Sequence, residues 1–222
     1  MDGNRRWAKK HGWLPWDGHR EGILAAQRVM EFCLVQRIAY LSLYTFSLEN
    51  FARPEKEKQF LFTVLFKEIK KKLVPYLKEK DIRIAFIGDD SYFPENVRDY
   101  CLSIEEETQS GSSLTVNLLF CYGGRQEIVH GVNKIIQKIN AGHVAIEAVD
   151  EKEFEKNLWM AGIPAPDLIV RTGGVQRLSN FLLFHAAYSE LFFLDCLWPE
   201  INGAHLGSVI KSFYQRQRNF GQ

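Results

Sequence analysis

The sequence predicts an α/β fold: a single domain, spanning residues 1–222, with a mostly parallel central sheet flanked by helices. Three observations carry that reading. Short apolar runs rich in β-branched and aromatic residues alternate with longer stretches of helical apolar spacing. A length of 222 residues suits one such domain. No internal repeat, low-complexity tract or linker divides the chain.

The elements follow in order. Residues 19–36 place Ile23, Leu24, Ala26, Val29, Met30, Cys33 and Leu34 at helical spacing. Residues 38–46 read as a buried strand. Residues 55–80 read as one long helix, opened by Glu55 and Glu57 and bent near Pro75. A strand at 82–87 ends at Gly88, and a helix at 94–109 starts on Pro94. Strand 114–120, helix 126–140 and a short helix 151–159 come next. Pro164 and Pro166 lead into strand 167–170, and strand 190–194 and helix 203–218 close the chain. Strands and helices alternating at this spacing give a parallel sheet covered on both faces.

Composition excludes several classes. A net charge of +1 provides no global basic field of the kind that recruits nucleic acid, so any anion binding is local. The lysines of 67–73 read as a solvated helix face rather than an RNA patch. The four cysteines show no C-x-x-C spacing, which suits reduced, buried thiols in the cytosol. No apolar run approaches ~18 residues, and no signal-type segment follows Met1.

In parallel sheets, ligands gather beyond the C-terminal strand ends. Strand 167–170 runs into Arg171-Thr172-Gly173-Gly174-Val175-Gln176-Arg177-Leu178-Ser179-Asn180. Two arginine forks match phosphate oxygens, Ser179 adds a neutral donor, and the glycine pair is expected to turn tightly and expose its N–H groups. Neither the Walker pattern nor G-x-G-x-x-G occurs. Strand 38–46 is followed by Ser47-Leu48-Glu49-Asn50-Phe51-Ala52-Arg53-Pro54, and strand 114–120 by Tyr122-Gly123-Gly124-Arg125. Asp2-Gly3-Asn4-Arg5-Arg6-Trp7 reads as a fourth loop with an acid among basic residues. Together they predict an anion site with a metal ligand. The run 60–66 is apolar nearly all round a helix: it is either fully buried or lines an apolar cleft beside that rim.

These motifs resemble those of the cis-prenyltransferase family over essentially the whole chain. The resemblance rests on MDGNRRWAKKHG at 1–12, GHREG at 18–22, SLENFARP at 47–54, YGGR at 122–125, RTGGVQRLSNFLLF at 171–184, ELFF at 190–193 and RQRNFG at 216–221. It implies a hydrophobic tunnel in the fold and Z-selective elongation of an allylic diphosphate, commonly farnesyl diphosphate, by isopentenyl diphosphate with Mg2+. The implied product is a long-chain polyprenyl diphosphate such as undecaprenyl diphosphate, a lipid carrier for cell-wall sugars. A non-catalytic partner subunit of the same fold is the alternative. The Asp-rich motif of trans-prenyltransferases is missing, since Asp89-Asp90 has no partner at the right spacing.

By this resemblance Asp2 is the essential carboxylate at the metal, with Glu190 as the second. Gly3, Asn4, Arg6, Trp7, His19, Phe51 and Arg53 surround the allylic diphosphate. Ser47, Glu49 and Asn50 lie in the segment that closes over the site, Asn50 on the catalytic side. Arg171, Arg177 and Ser179 grip isopentenyl diphosphate. Arg218–Gly221 reaches a neighbouring subunit, which implies a homodimer; the location implied is cytoplasmic with peripheral membrane contact. Pro15, Phe51 and Val175 depart from the family pattern, and Thr45, Phe120 and Cys121 add bulk where the tunnel is expected. The family also carries an apolar strand ahead of MDGN in mid-sheet. A chain opening directly on that motif leaves Asp2 expected near a frayed terminus.

Overall fold

The computed structural model describes residues 1–65, 69 and 73–217. Helix α1 (Asn4–Lys10) lies where sequence reasoning placed a loop. Its entry is Gly3 at φ 116°, a backbone geometry that glycine alone adopts without strain, so the start signal is conformational rather than a side-chain cap. Helix α2 (Pro15–Val35) carries Pro15 in its first turn, where a missing N–H costs nothing. The GHREG glycines press α2 onto α1. A Cβ at Gly18 would sit 2.1 Å from the Asn4 carbonyl oxygen, and one at Gly22 2.7 Å from Asn4 Oδ1.

Strand β1 (Tyr40–Ser47) leads through a 3-10 turn, Leu48–Ala52, into α3 (Glu55–Gln59). The long helix expected over 55–80 is not one regular helix. Its apolar centre is π-helical over Phe60–Leu65, and α4 (Val74–Glu79) opens with Pro75 in its first turn. The KEIKKKL segment falls largely outside the described residues. Strand β2 (Ile82–Ile87), α5 (Glu95–Thr108), β3 (Leu114–Tyr122), α6 (Gly124–Asn140), α7 (Glu151–Glu155), β4 (Leu168–Arg171), β5 (Glu190–Phe193) and α8 (Gly203–Gln215) follow.

All strand pairs among the described residues are parallel, in two sheets: β1-β3-β2 and β4-β5. β3 is buried along nearly its whole length, as a strand paired on both sides and covered on both faces must be. One core packs α2, α4 and α5 on the three-stranded sheet through Met30, Leu77, Ile82, Ile104 and Leu114. A second, largely aromatic cluster gathers Phe46, Leu61, Phe62, Val97 and Phe120, with Phe51 and Phe93 packed against it. Leu61 and Phe62 are therefore buried, while Phe60 faces Trp16 and Arg20.

Between β1 and β4 lies a cavity of about 690 Å³. β1 and β4 each have one edge without a strand partner among the described residues, and both strands line this cavity. No helix among the described residues is long and apolar enough to cross a membrane.

Candidate diphosphate site

Asp2 is firmly anchored, contrary to the frayed start expected. Its N–H donates to Thr172 Oγ1 at 3.0 Å, and Thr172 Oγ1 donates back to the Asp2 carbonyl at 2.8 Å. The Trp198 N–H reaches the same carbonyl at 2.9 Å. The Thr172 side chain is buried, so this pair of hydrogen bonds is shielded from water. The carboxylate remains half-exposed and is shared between two arginines. Arg6 Nη2 is 3.1 Å from Oδ1, and Arg171 Nη2 is 3.0 Å from Oδ2. Partial burial pushes the Asp2 carboxyl up, but the hydrogen bonds and charges of Arg171 and Arg6 outweigh it and hold the group below the usual carboxylate range.

The arginine loop is built differently from expectation. The Gly173 and Gly174 N–H groups are not presented to a ligand. They donate to the carbonyls of Cys196 and Leu194, both at 2.8 Å, extending the β4–β5 pairing past the strand ends. Their glycine character serves positive φ, 90° and 67°, and space: a Cβ on Gly173 would lie 2.3 Å from Arg6 Nη2. Anion binding here must come from side chains. Arg171 Nη1 donates to Ser179 Oγ at 2.7 Å and to the Arg177 carbonyl, while Arg177 Nε reaches Ser179 Oγ at 3.2 Å. Ser179 and Asn180 both take left-handed backbone, φ 51° and 66°, which folds the loop back on itself.

Asn180 ties three strand ends together. Its Nδ2 donates to Glu49 Oε1 at 2.7 Å and Gln126 Oε1 at 3.0 Å, while its Oδ1 accepts from the Arg125 N–H at 2.8 Å. Beneath it, the carboxylate of Glu127 is fully buried and accepts from the Tyr122 hydroxyl, the Met160 N–H at 3.1 Å and His185 Nε2 at 3.3 Å. Neither Asn180 nor the Glu127 cluster stands out in sequence: Glu49, Gln126, Met160 and His185 are remote in the chain, and only Tyr122 is near Glu127.

On the β1 side, Asn50 Oδ1 accepts the Ser47 N–H at 3.2 Å, which closes the turn leading to Arg53. Arg53 Nη1 and His19 Nε2 both lie 3.2 Å from Oε1 of Glu57, a buried carboxylate that sequence reasoning treated only as a helix opener. The spacing of Arg53 and Glu57, i and i+4 across Pro54, is the signal that could have found it.

One cavity collects Asp2, Asn4, His19, Ser47, Asn50, Arg53, Arg171, Arg177 and Ser179. Six anticipated residues do not line it: Gly3 and Arg6 stand beside Asp2, Glu49 is held by Asn180, and the other three are placed elsewhere. Trp7 stacks on His11 and Trp13, with ring centroids 4.2 and 5.3 Å away. Phe51 joins the aromatic cluster, edge-on to Phe46 at 5.2 Å. Glu190 is not brought to Asp2. It starts β5 opposite Leu168, whereas Arg171 pairs with Phe193 at the other end of the ladder. It forms an ion pair with Arg216, whose guanidinium lies 4.3 Å from the Phe192 ring centroid. The segment Arg218–Gly221 lies outside the described residues.

No group of three or more His, Cys, Asp or Glu side chains among the described residues forms a metal cluster. Mg2+, however, commonly takes only one or two protein carboxylates and completes its shell with substrate phosphates and water. A lone, half-exposed Asp2 on the rim of an arginine-lined cavity fits that donor set. Glu190 does not contribute to it within one chain.

Clustered guanidiniums, a rim carboxylate and parallel strand ends define an α/β protein built to bind diphosphate groups. The family model described as "Putative undecaprenyl diphosphate synthase" matches residues 1–221. An isoprenyl transferase of Oceanobacillus iheyensis is 39% identical over 221 residues, covering 100% of this chain and 87% of its own. A Buchnera aphidicola enzyme named as a farnesyl-diphosphate-specific ditrans,polycis-undecaprenyl-diphosphate synthase is 38% identical, with 100% of this chain and 88% of its own covered. The crystal structure of lavandulyl diphosphate synthase from Lavandula x intermedia, with dimethylallyl diphosphate, superposes with a TM-score of 0.95 at 32% identity, covering 100% of this chain and 95% of that one. The chain belongs to the undecaprenyl diphosphate synthase family of cis-prenyltransferases.

Proposed function

We propose that this protein elongates an allylic diphosphate, with farnesyl diphosphate as starter, by Z-selective addition of isopentenyl diphosphate units. The product is a long-chain polyprenyl diphosphate of the undecaprenyl type, a carrier for cell-wall sugars. The observation that carries the reading is Asp2, shared by Arg6 and Arg171 at a cavity that also holds Arg53, His19, Arg177 and Ser179. Farnesyl-diphosphate-specific relatives at 38% identity motivate the starter, and geranylgeranyl-diphosphate-specific relatives at 39% supply the competing one for the assay.

In this reading the allylic C–O bond breaks and diphosphate departs. The double bond of isopentenyl diphosphate attacks the allylic carbon, and a proton is lost. Arg6, Arg53, His19 and the Gly3–Asn4 segment face the departing diphosphate. The fixed positive charge of Arg6 and Arg53, with hydrogen bonds from His19 and the Gly3–Asn4 segment, stabilises the charge that grows on it, more in the transition state than in the ground state. Arg171, Arg177 and Ser179 hold the second diphosphate. Asp2 would hold Mg2+, which when bound supplies further neutralisation of the leaving group. Asn50 and Ser47 are assigned to the closing segment beside the reacting carbons.

We assign the growing tail to the Leu61 wall of the cavity, beside the closely packed Phe46, Phe51 and Phe62 cluster, and not to the slot between β1 and β4. Strand edges wall that slot, and hydrocarbon cannot satisfy their N–H and C=O groups. A homodimer, cytoplasmic location and peripheral membrane contact complete the proposal, the last because a long lipid product must leave the enzyme.

The test is product analysis with farnesyl diphosphate, radiolabelled isopentenyl diphosphate and Mg2+. Polyprenyl diphosphates of increasing length support the reading. No incorporation by the protein alone, with activity appearing only on adding a second prenyltransferase subunit, would support the non-catalytic alternative.

A further inference from the structure

Glu57 lies behind the site rather than in it. Its side chain is almost fully buried, while its neighbour Glu55 is largely exposed. It does not line the cavity, yet two residues that do, His19 and Arg53, both bond its Oε1 at 3.2 Å. Its Oε2 lies 3.8 Å from Arg5 Nε. The three partners come from three places: α1, α2 and the turn before α3.

Such a carboxylate has a clear electrostatic task. Arg5 and Arg53 repel one another, and burial disfavours the Arg53 charge. A buried anion between them offsets these effects in part, and burial still leaves the Arg53 guanidinium below its ordinary value. The His19 hydrogen bond, helped by the charges of Arg53 and Arg5, overcomes desolvation and holds the Glu57 carboxyl below the usual range, so it is ionised at neutral pH. An acid serving only the start of α3 would face solvent, as Glu55 does, and would not share one oxygen between two cavity residues.

We propose that Glu57 is a positioning residue for the first diphosphate: it aims Arg53 and His19 at the allylic substrate without touching it. This rests on the prenyl-transfer reading above. A fixed cation loses no reorganisation energy when the leaving group's charge develops. Without Glu57, Arg53 would be free to swing toward solvent, and two crowded cations would lack a counter-charge.

The experiment compares wild type, Glu57→Gln and Glu57→Asp by steady-state kinetics, varying farnesyl and isopentenyl diphosphate separately, with thermal midpoints alongside. Glu57→Gln is expected to raise KM for farnesyl diphosphate about tenfold or more and to lower kcat, while KM for isopentenyl diphosphate stays within about twofold. Glu57→Asp, which keeps the charge, is expected to recover part of the loss. Unchanged farnesyl KM in a folded Glu57→Gln protein overturns the proposal. So does an equal rise in both KM values accompanied by a large fall in thermal midpoint, the signature of a structural role alone. If wild type turns over neither substrate, the prenyl-transfer reading fails separately. Calorimetric binding of inorganic diphosphate then tests positioning directly: about tenfold weaker binding to Glu57→Gln upholds it, and equal binding sinks it.

Discussion

Two carboxylates organise cations on opposite sides of one cavity, and they differ chiefly in burial. Asp2 keeps 35% of its side-chain surface exposed, whereas Glu57 keeps 6%. Asp2 holds one arginine on each oxygen at the rim; Glu57 shares one oxygen between two residues from behind. An exposed pair gains little net energy and exchanges partners readily, so Asp2 can release an arginine to a phosphate or a metal ion. A buried pair cannot lose a partner without stranding a charge. Similar ion-pair chemistry thus gives an adaptable contact at one end of the site and a fixed frame at the other.

The sharpest way to break this comparison is Asp2→Ala. Its backbone anchors to Thr172 and Trp198 do not use the carboxylate, so the fold should persist. Turnover should fall at least about a hundredfold, on the order of 3 kcal/mol in the barrier. Near-normal kcat in the folded variant would remove Asp2 from the mechanism and leave only its structural contacts.

Next in size is the joint between the two regions. α1 carries Arg5 and Arg6, α2 carries His19, and Gly18 is where the two helices touch. A methyl at Gly18 meets the Asn4 carbonyl oxygen at 2.1 Å, a backbone atom that cannot swing aside. Gly18→Ala should cost about 2 kcal/mol, read from the urea midpoint, with α1 displaced. Because both regions depend on that contact, KM for both diphosphates should rise. A rise in only one would mean that the carboxylates act independently.

What the sequence revealed and what it hid divide along chain distance. β3 is legible because an apolar run bounded by turn residues is a local signal; the last helix starts at residue 203 as expected but ends at Gln215, short of 218. Asp2, Arg171, Arg177 and Ser179 are legible as candidates because their motifs are compact. Thr172 and Asn180 are not, since they act through partners far along the chain, such as Thr172 on Asp2; Glu57 and Glu127 each have one near partner, Arg53 and Tyr122, but their burial depends on remote ones, His19 and Met160. The glycine pair misled for the same reason: its N–H groups are consumed by carbonyls more than 19 residues away. The helix over 55–80 misled because helical apolar spacing does not distinguish an α-helical from a π-helical turn.

A smaller effect separates the two substrates. Arg171 touches both sides, holding Asp2 through Nη2 and Ser179 through Nη1. Arg171→Ala should raise KM for isopentenyl diphosphate about tenfold, roughly 1.4 kcal/mol, with a lesser rise for the allylic substrate. Unchanged isopentenyl kinetics would move the second diphosphate away from this loop.

The least effect expected is on acid stability, and it sharpens the role of burial. Both carboxylates have folded values held below their unfolded ones. The stabilisation each provides is therefore fully present above its unfolded value, about 4 for this class of group, and is lost as pH falls through the lower folded value. Water screens the Asp2 contribution at the rim, while Glu57 is shielded. Denaturant midpoints measured from pH 6 down to pH 3 should thus drop less steeply in Glu57→Gln than in wild type, because the variant has no proton to take up at that position. Asp2→Asn should leave the slope closer to wild type. If Asp2→Asn flattens the curve as much as Glu57→Gln, burial is not what distinguishes the two carboxylates, and the frame would extend to the rim.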